Sequence, residues 1–215
     1  MDSSIFRWIN RFANRTGWAH GFFNNYAKYG IALFAVLLVA AYLDARQHND
    51  LRAVAGSIWA GGAALVALEI GQLAGGAIDR ARPYEAMTGV HLLVDKTTDF
   101  SFPSDHATAA GAVAVGLLLT NRRWGIVAAG LAVVMAVSRV YVGAHYPADV
   151  LAGVALGGIA AAAGTVVAVP LLTHIAERLS RTGLGALVTS EPTHASEAEG
   201  RRCCSAIPRS KRQVE

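Results

Sequence analysis

Three short polar stretches interrupt an otherwise apolar chain: Asp79-Arg80-Ala81-Arg82-Pro83, then Ser101-Phe102-Pro103-Ser104-Asp105-His106, then Ser138-Arg139 followed by His145 and Asp149. Charged and imidazole side chains are costly beside hydrocarbon, so where they occur they mark a functional site by default. Histidine can act as a nucleophile or as a general acid and base. Arginine offers a planar fork of donors that matches phosphate oxygens. A carboxylate bonded to one imidazole nitrogen fixes the tautomer and leaves the other nitrogen free. Together these are the parts that a metal-free phosphoryl-transfer site needs.

Asp149 follows His145 by four residues, so the two share a face if that stretch is helical. A braced His145 could attack phosphorus and form a phosphohistidine, and Pro147 suits a helix start. The plainer alternative is a pair of interfacial polar residues capping a helix. Ser104 or Asp105 can cap the next helix, whose free N–H groups and dipole make an anion site. His106 would sit in the first turn, where it could protonate a leaving oxygen; a good cap followed by a chance histidine is the alternative. Arg82 and Arg139 could neutralise the equatorial oxygens of a transferring phosphoryl group, against the alternative of a juxtamembrane basic cluster. A zinc site from His106, His145 and Asp149 is conceivable, but the arginines oppose a cation, so no metal and no cofactor are expected. Cys203 and Cys204 are adjacent and supply neither a disulfide framework nor separated metal-ligand pairs.

The elements that must position these residues are apolar helices. The chain of 215 residues is 53% hydrophobic and only 16% charged, against roughly 25% charged residues in an average soluble domain. With long Ala/Val/Leu runs, this predicts an all-α, polytopic transmembrane bundle. Five apolar stretches fall near residues 29–43, 54–78, 106–120, 124–141 and 148–172. Some are shorter than the ~20 residues a span requires, but they abut the polar motifs, and a helix end lining a wet site need not be apolar. Gly71-x3-Gly75 and Gly153-x3-Gly157 allow close backbone approach. Residues 1–28 mix Phe6, Trp8 and Phe12 with Arg7, Arg11 and Arg15 and read as an amphipathic interfacial segment; a sixth span over 5–27 is the alternative. Residues 29–174 form the transmembrane unit, and 175–215 read as a disordered cytoplasmic tail. Glu69 falls inside the second span, either hydrogen-bonded between helices or facing the cavity.

The net charge of +4 is scattered among loops, which argues for topology determinants rather than a nucleic-acid partner. Arg46, Arg52, Arg122, Arg123, Arg178 and Arg181 gather on the face opposite the three motifs. The positive-inside rule makes that face cytoplasmic and the motif face external. The sequence leaves the oligomeric state open.

In order and spacing the three segments resemble the type-2 phosphatidic acid phosphatase superfamily, with its pattern Lys-x6-Arg-Pro, Pro-Ser-x-His and Ser-Arg-x5-His-x3-Asp. The resemblance covers roughly residues 29–172, and the second and third segments match in full. It implies that His145 is the nucleophile, Asp149 its orienting partner and His106 the general acid, with Arg82, Ser104 and Arg139 holding phosphate. One position departs: the first-motif lysine would fall at Gly75, and Arg80 is a candidate substitute. Within the superfamily, Ser101-Phe102-Pro103-Ser104-Asp105-His106 and the Ala27-Lys28-Tyr29-Gly30 segment look like the bacterial undecaprenyl-diphosphatase branch. That implies a polyprenyl diphosphate substrate in a bacterial inner membrane, with the site on the periplasmic side. A phosphatidate or phosphatidylglycerophosphate phosphatase is the enzymatic alternative. A non-catalytic binder or transporter of lipid phosphates is the other.

Overall fold

The computed structural model describes residues 1–190, and these contain helices and no strand. The order is α1 (Asp2–Arg15), α2 (His20–Gln47), α3 (Leu51–Ile78), the one-turn α4 (Pro83–Ala86), α5 (Asp105–Thr120), α6 (Arg122–Tyr141) and α7 (Pro147–Ser180). Four segments are long and apolar enough to cross a membrane: Gly17–Gln47, Leu51–Ala86, Arg122–Tyr141 and Pro147–Ser180. The 16-residue α5 is shorter.

α5 is the axis of the bundle, packed between α3, α6 and α7. Ala107 through Ala114 are buried around most of its circumference, with Gly116 and Leu117. A helix that is apolar all round and rich in small residues belongs in such a place. Outward faces carry Leu33, Val36 and Val39 on α2, Leu65, Val66 and Leu73 on α3, Val133 on α6, and Leu151, Ile159 and Val166 on α7, all exposed. Apolar side chains facing outward along several long helices are what lipid, not water, selects. The protein is a multi-pass membrane protein.

The glycine pairs position the site. A Cβ at Gly153 would lie 2.7 Å from the Ser104 carbonyl oxygen, and one at Gly157 would overlap the Thr108 carbonyl oxygen, so α7 meets α5 backbone to backbone. On α3, a Cβ at Gly75 would lie 2.9 Å from the Phe102 carbonyl oxygen. The loop preceding α5 therefore rests directly on α3.

Both ends differ from the sequence expectation. The first long helix begins at His20, so residues 20–28 belong to it and not to the N-terminal segment. Phe23 and Tyr26 extend its packing face, and the Tyr26 hydroxyl donates to the Leu131 carbonyl on α6 at 2.9 Å. α1 is a separate amphipathic helix with Phe6, Asn10 and Ala13 buried and Trp8 and Phe12 exposed. At the other end α7 runs past 175 to Ser180. Ala176 and Val188 join a core with Ala45 and Val54, and Arg46 Nε donates to the Ala186 carbonyl at 2.7 Å. Residues 175–190 are thus packed against α2, not free as a tail; the remaining tail expectation, with Cys203 and Cys204, lies outside the described residues. Glu69 faces outward among Leu65, Val66 and Ile70 and makes no interhelical hydrogen bond among the described residues.

The α5–α7 contact predicts that Gly157→Ala destabilises the protein by about 1–3 kcal/mol through overpacking. Gly130→Ala, where a Cβ meets nothing within 4 Å, should be neutral or slightly stabilising. Thermal midpoints in detergent check the pair.

Candidate active site

The helix ends that carry the motifs converge at one end of the bundle, around a cavity of about 210 Å³. Arg82, His106, Arg139 and His145 line it together with Lys28, Tyr84, Asp95, Asp99 and Asp105. His145 sits on the short connection between α6 and α7 and is 2% exposed. Its Nδ1 lies 2.8 Å from the Ser101 carbonyl oxygen. Its Nε2 receives Arg82 Nη1 at 3.2 Å and Arg139 Nη2 at 3.1 Å. A carbonyl only accepts and a guanidinium only donates, so the proton is on Nδ1 and the lone pair on Nε2. Burial, then the charges of Arg139 and Arg82, push the His145 ring well below its ordinary pKa. The result is a neutral imidazole whose free nitrogen faces two cations.

The guanidiniums are anchored by backbone. Arg82 Nε donates to the Asp99 carbonyl at 3.2 Å and Nη1 to the Ala144 carbonyl at 3.1 Å. Its Nη2 pairs with the Asp99 carboxylate at 3.0 Å. Arg139 Nη1 donates to the Ala27 carbonyl on α2 at 3.2 Å, and its Nε is buried without a partner. Burial disfavours ionisation of Asp99, but bonding from Thr97 and the Arg82 charge outweigh it and hold its carboxyl below the usual range.

Two expected roles fall elsewhere. Asp149 does not touch the His145 ring. It accepts from Ser101 Oγ at 2.6 Å, from Tyr146 N at 3.0 Å and from Arg80 Nη1 at 2.5 Å. The physical reason is local: α7 begins at Pro147, with Tyr146 extended at φ −75°, ψ 156°. His145 therefore lies outside the helix, and the four-residue spacing no longer puts the two side chains on one face. Asp149 acts one step back, tethering the residue whose carbonyl holds Nδ1.

Arg80, the candidate substitute for the lysine, also lies behind the cavity. The left-handed turn at Asp79 (φ 49°) ends α3. Arg80 then pairs with Asp149 and with Asp2 of α1, each at 2.5 Å, and its guanidinium lies 4.1 Å from the Tyr146 ring centroid. Ser104 is fully buried at the α5 N-cap position but makes no side-chain cap bond, and its Oγ has no partner. It does not line the cavity. Buried orphan polar atoms such as Ser104 Oγ and Arg139 Nε are unusual in a folded protein.

The motifs gave no hint of Lys28, Tyr84 or the 95–99 loop as cavity walls. A usable signal existed for Lys28, a lone lysine at the start of an apolar helix. The 95–99 loop falls within the stretch 91–108 that shares the resemblance noted in the sequence, but its residue types alone assign it no place at a cavity.

The PAP2 superfamily family model matches residues 59–173. Undecaprenyl-diphosphatase BcrC of Bacillus subtilis (strain 168) is 32% identical over 70% of this chain and 76% of its own length. Decaprenylphosphoryl-5-phosphoribose phosphatase of Mycobacterium tuberculosis (strain ATCC 25618 / H37Rv) is 41% identical over 58% of this chain and 64% of its own. The crystal structure of Aquifex aeolicus LpxE has a similar fold, with a TM-score of 0.57 at 24% identity, covering 76% of this chain and 93% of that one. The chain belongs to the PAP2 superfamily and is a membrane-embedded lipid phosphatase, a hydrolase.

The placement of Arg80 predicts that Arg80→Ala lowers kcat by about 10–100-fold through misorientation of the ring, with KM nearly unchanged. A direct phosphate ligand would show chiefly in KM, so steady-state kinetics separate the two.

A second expectation follows from the buried imidazole. The unfolded chain protonates His145 below about pH 6.5, while the folded chain does not. This group's contribution to stability is therefore complete above that pH and declines as pH falls toward the folded value. His145→Gln should remove up to one proton's worth of slope, ~1.4 kcal/mol per pH unit. Thermal midpoints at pH 7.5 and 5.5 should fall less in His145→Gln than in the wild type.

Proposed function

We propose that the protein hydrolyses undecaprenyl diphosphate to undecaprenyl phosphate and inorganic phosphate through a phosphohistidine on His145. The observation that carries this reading is the Nε2 lone pair of His145 held between Arg82 and Arg139. The arginines bind the terminal phosphoryl group, and Arg139 Nε gains the partner it lacks. The Nε2 pair forms the P–N bond while the P–O bond to the lipid-linked phosphate breaks. The bonding electrons leave on that oxygen, which takes a proton from His106, an imidazole that becomes protonated once the charge of the bound substrate offsets the field of Arg82 and Arg139. His106, now neutral, removes a proton from water; the water oxygen attacks phosphorus, and the P–N electrons return to Nε2. Arginines and the α5 N-terminus supply the electrostatic stabilisation, so turnover requires no metal.

The bundle crosses a bacterial inner membrane five times, with α5 as the short buried span and α1 lying at the interface. The active-site end faces the periplasm, in keeping with Arg46, Arg52, Arg122 and Arg123 at the opposite end. The lipid tail remains in the bilayer while the head group enters the cavity.

A second reading is a phosphomonoesterase acting on a polyprenyl-linked sugar phosphate. The 41% identity to the decaprenylphosphoryl-5-phosphoribose phosphatase favours it. The same residues serve either reaction, and the two differ in the leaving group.

Purified protein incubated with undecaprenyl diphosphate and excess chelator should release phosphate. His145→Ala should reduce the rate at least ~1,000-fold while leaving the thermal midpoint within a few degrees. Undiminished release by that variant, or loss of wild-type activity with chelator, contradicts the reading.

A further inference from the structure

Lys28 is used by none of the chemistry above, yet it lines the same cavity. It follows Ala27, whose carbonyl receives Arg139 Nη1 at 3.2 Å. The next residue, Tyr29, is exposed on the outward face of α2, with Leu33 and Val36 beyond it. Lys28 therefore stands where the guanidinium floor of the cavity meets the lipid-facing wall. Its Nζ holds the Asp95 carboxylate at 3.3 Å. Arg82, deeper in, holds the Asp99 carboxylate at 3.0 Å.

Two cations in one cavity thus each carry an acidic side chain from the same loop, four residues apart. Asp95 is 89% exposed and Asp99 47%, so each carboxylate can turn toward water when an anion takes its place. Exposed ion pairs contribute little, and a multiply charged oxyanion displaces them readily. The carboxylates mark two anion positions. A phosphomonoester fills one, and a diphosphate fills both.

We propose that Lys28 binds the lipid-linked phosphate of a diphosphate substrate and so selects diphosphates over monophosphates. The assignment rests on the proposed diphosphatase reading and names the residue that makes it a diphosphatase. Attack by His145 occurs at the terminal phosphorus, beside Arg82 and Arg139. When the anhydride P–O bond breaks, its electrons stay on an oxygen of the lipid-linked phosphate. A cation at Lys28 stabilises the charge that develops there, which lowers the barrier as well as tightening binding. A lysine suits this place, because its flexible stem can follow a departing phosphate where the rigid arginine fork cannot. α2 supplies this cation because position 75 cannot. A side chain there would run into the Phe102 carbonyl oxygen and the Phe100 ring, 2.9 and 3.2 Å from the first carbon.

The test compares wild type, Lys28→Gln and Lys28→Arg as full-length protein in detergent. The substrates are the diphosphate and monophosphate esters of one polyprenyl alcohol. Where the monophosphate is not turned over, its inhibition constant replaces its kcat/KM. Lys28→Gln should lower the diphosphate-to-monophosphate ratio about tenfold or more, with kcat on the diphosphate falling, and Lys28→Arg should restore most of it. A structural role for Lys28 lowers both activities in parallel, so an unchanged ratio with an active wild type overturns this assignment alone. A wild type that hydrolyses neither ester overturns the proposed function and this assignment with it.

Discussion

Two guanidinium groups held on one neutral imidazole nitrogen form the constraint on which the rest of the structure depends. Like charges this close repel, and the repulsion is strong where water is excluded. Among the described residues only Asp99 forms an ion pair with either arginine, and it reaches Arg82 alone. Around His145 Nε2 the two guanidiniums thus set a local positive field, and Arg139 Nε is unpartnered. A phosphate dianion relieves both. The same field keeps His145 unprotonated, so in the proposed mechanism affinity for phosphate and readiness of the nucleophile have one cause.

Holding such an arrangement requires a frame that cannot relax away from it. The ring is fixed through the Ser101 carbonyl, and Ser101 through its hydroxyl to Asp149. Asp149 is fixed in turn by Arg80, which reaches Asp2 on α1. Asp2 also accepts from the Ala148 N–H at 3.0 Å, and Phe6 packs on Tyr146 with centroids 5.5 Å apart. α1 is consequently part of the site's support. From the lipid side, the glycines of α3 and α7 let backbones press against the loop and helix that carry Ser101 and His106. Bulkier side chains at those positions would move the ring's anchor.

Much of this was legible in the chain. Arg82, His106, Arg139 and His145 stand out because polar groups are scarce in apolar helices, and the structure brings all four to one cavity. The close-packing role read from Gly75, Gly153 and Gly157 is visible in their contacts. The partners of Asp149 and Arg80 were not legible: Pro147 marks the helix start and so leaves His145 outside the helix, but nothing in the spacing names the groups that Asp149 then meets. Nor can a sequence show that a left-handed turn at Asp79 swings Arg80 toward α1. The helix reaches back past 28 to His20 because Phe23 stacks on Tyr141 and Tyr26 bonds to Leu131, tertiary contacts that composition does not display. Lys28 stands in the Ala27-Lys28-Tyr29-Gly30 segment noted in the sequence, but its place at the cavity was not legible, because Arg82 and the other motif residues lie more than fifty residues away and only the fold brings them together.

The central claim is that His145 carries the phosphoryl group. Rapid quenching in alkaline detergent of enzyme mixed with undecaprenyl diphosphate labelled at the terminal phosphorus tests it directly, with the quenched protein digested at alkaline pH and the label mapped. The account predicts an acid-labile, base-stable phosphate on the peptide containing His145, accumulating further in a His106→Ala variant that still forms the P–N bond but hydrolyses it slowly. Full turnover with no protein-bound label at any quench time, or label on another residue, would contradict it.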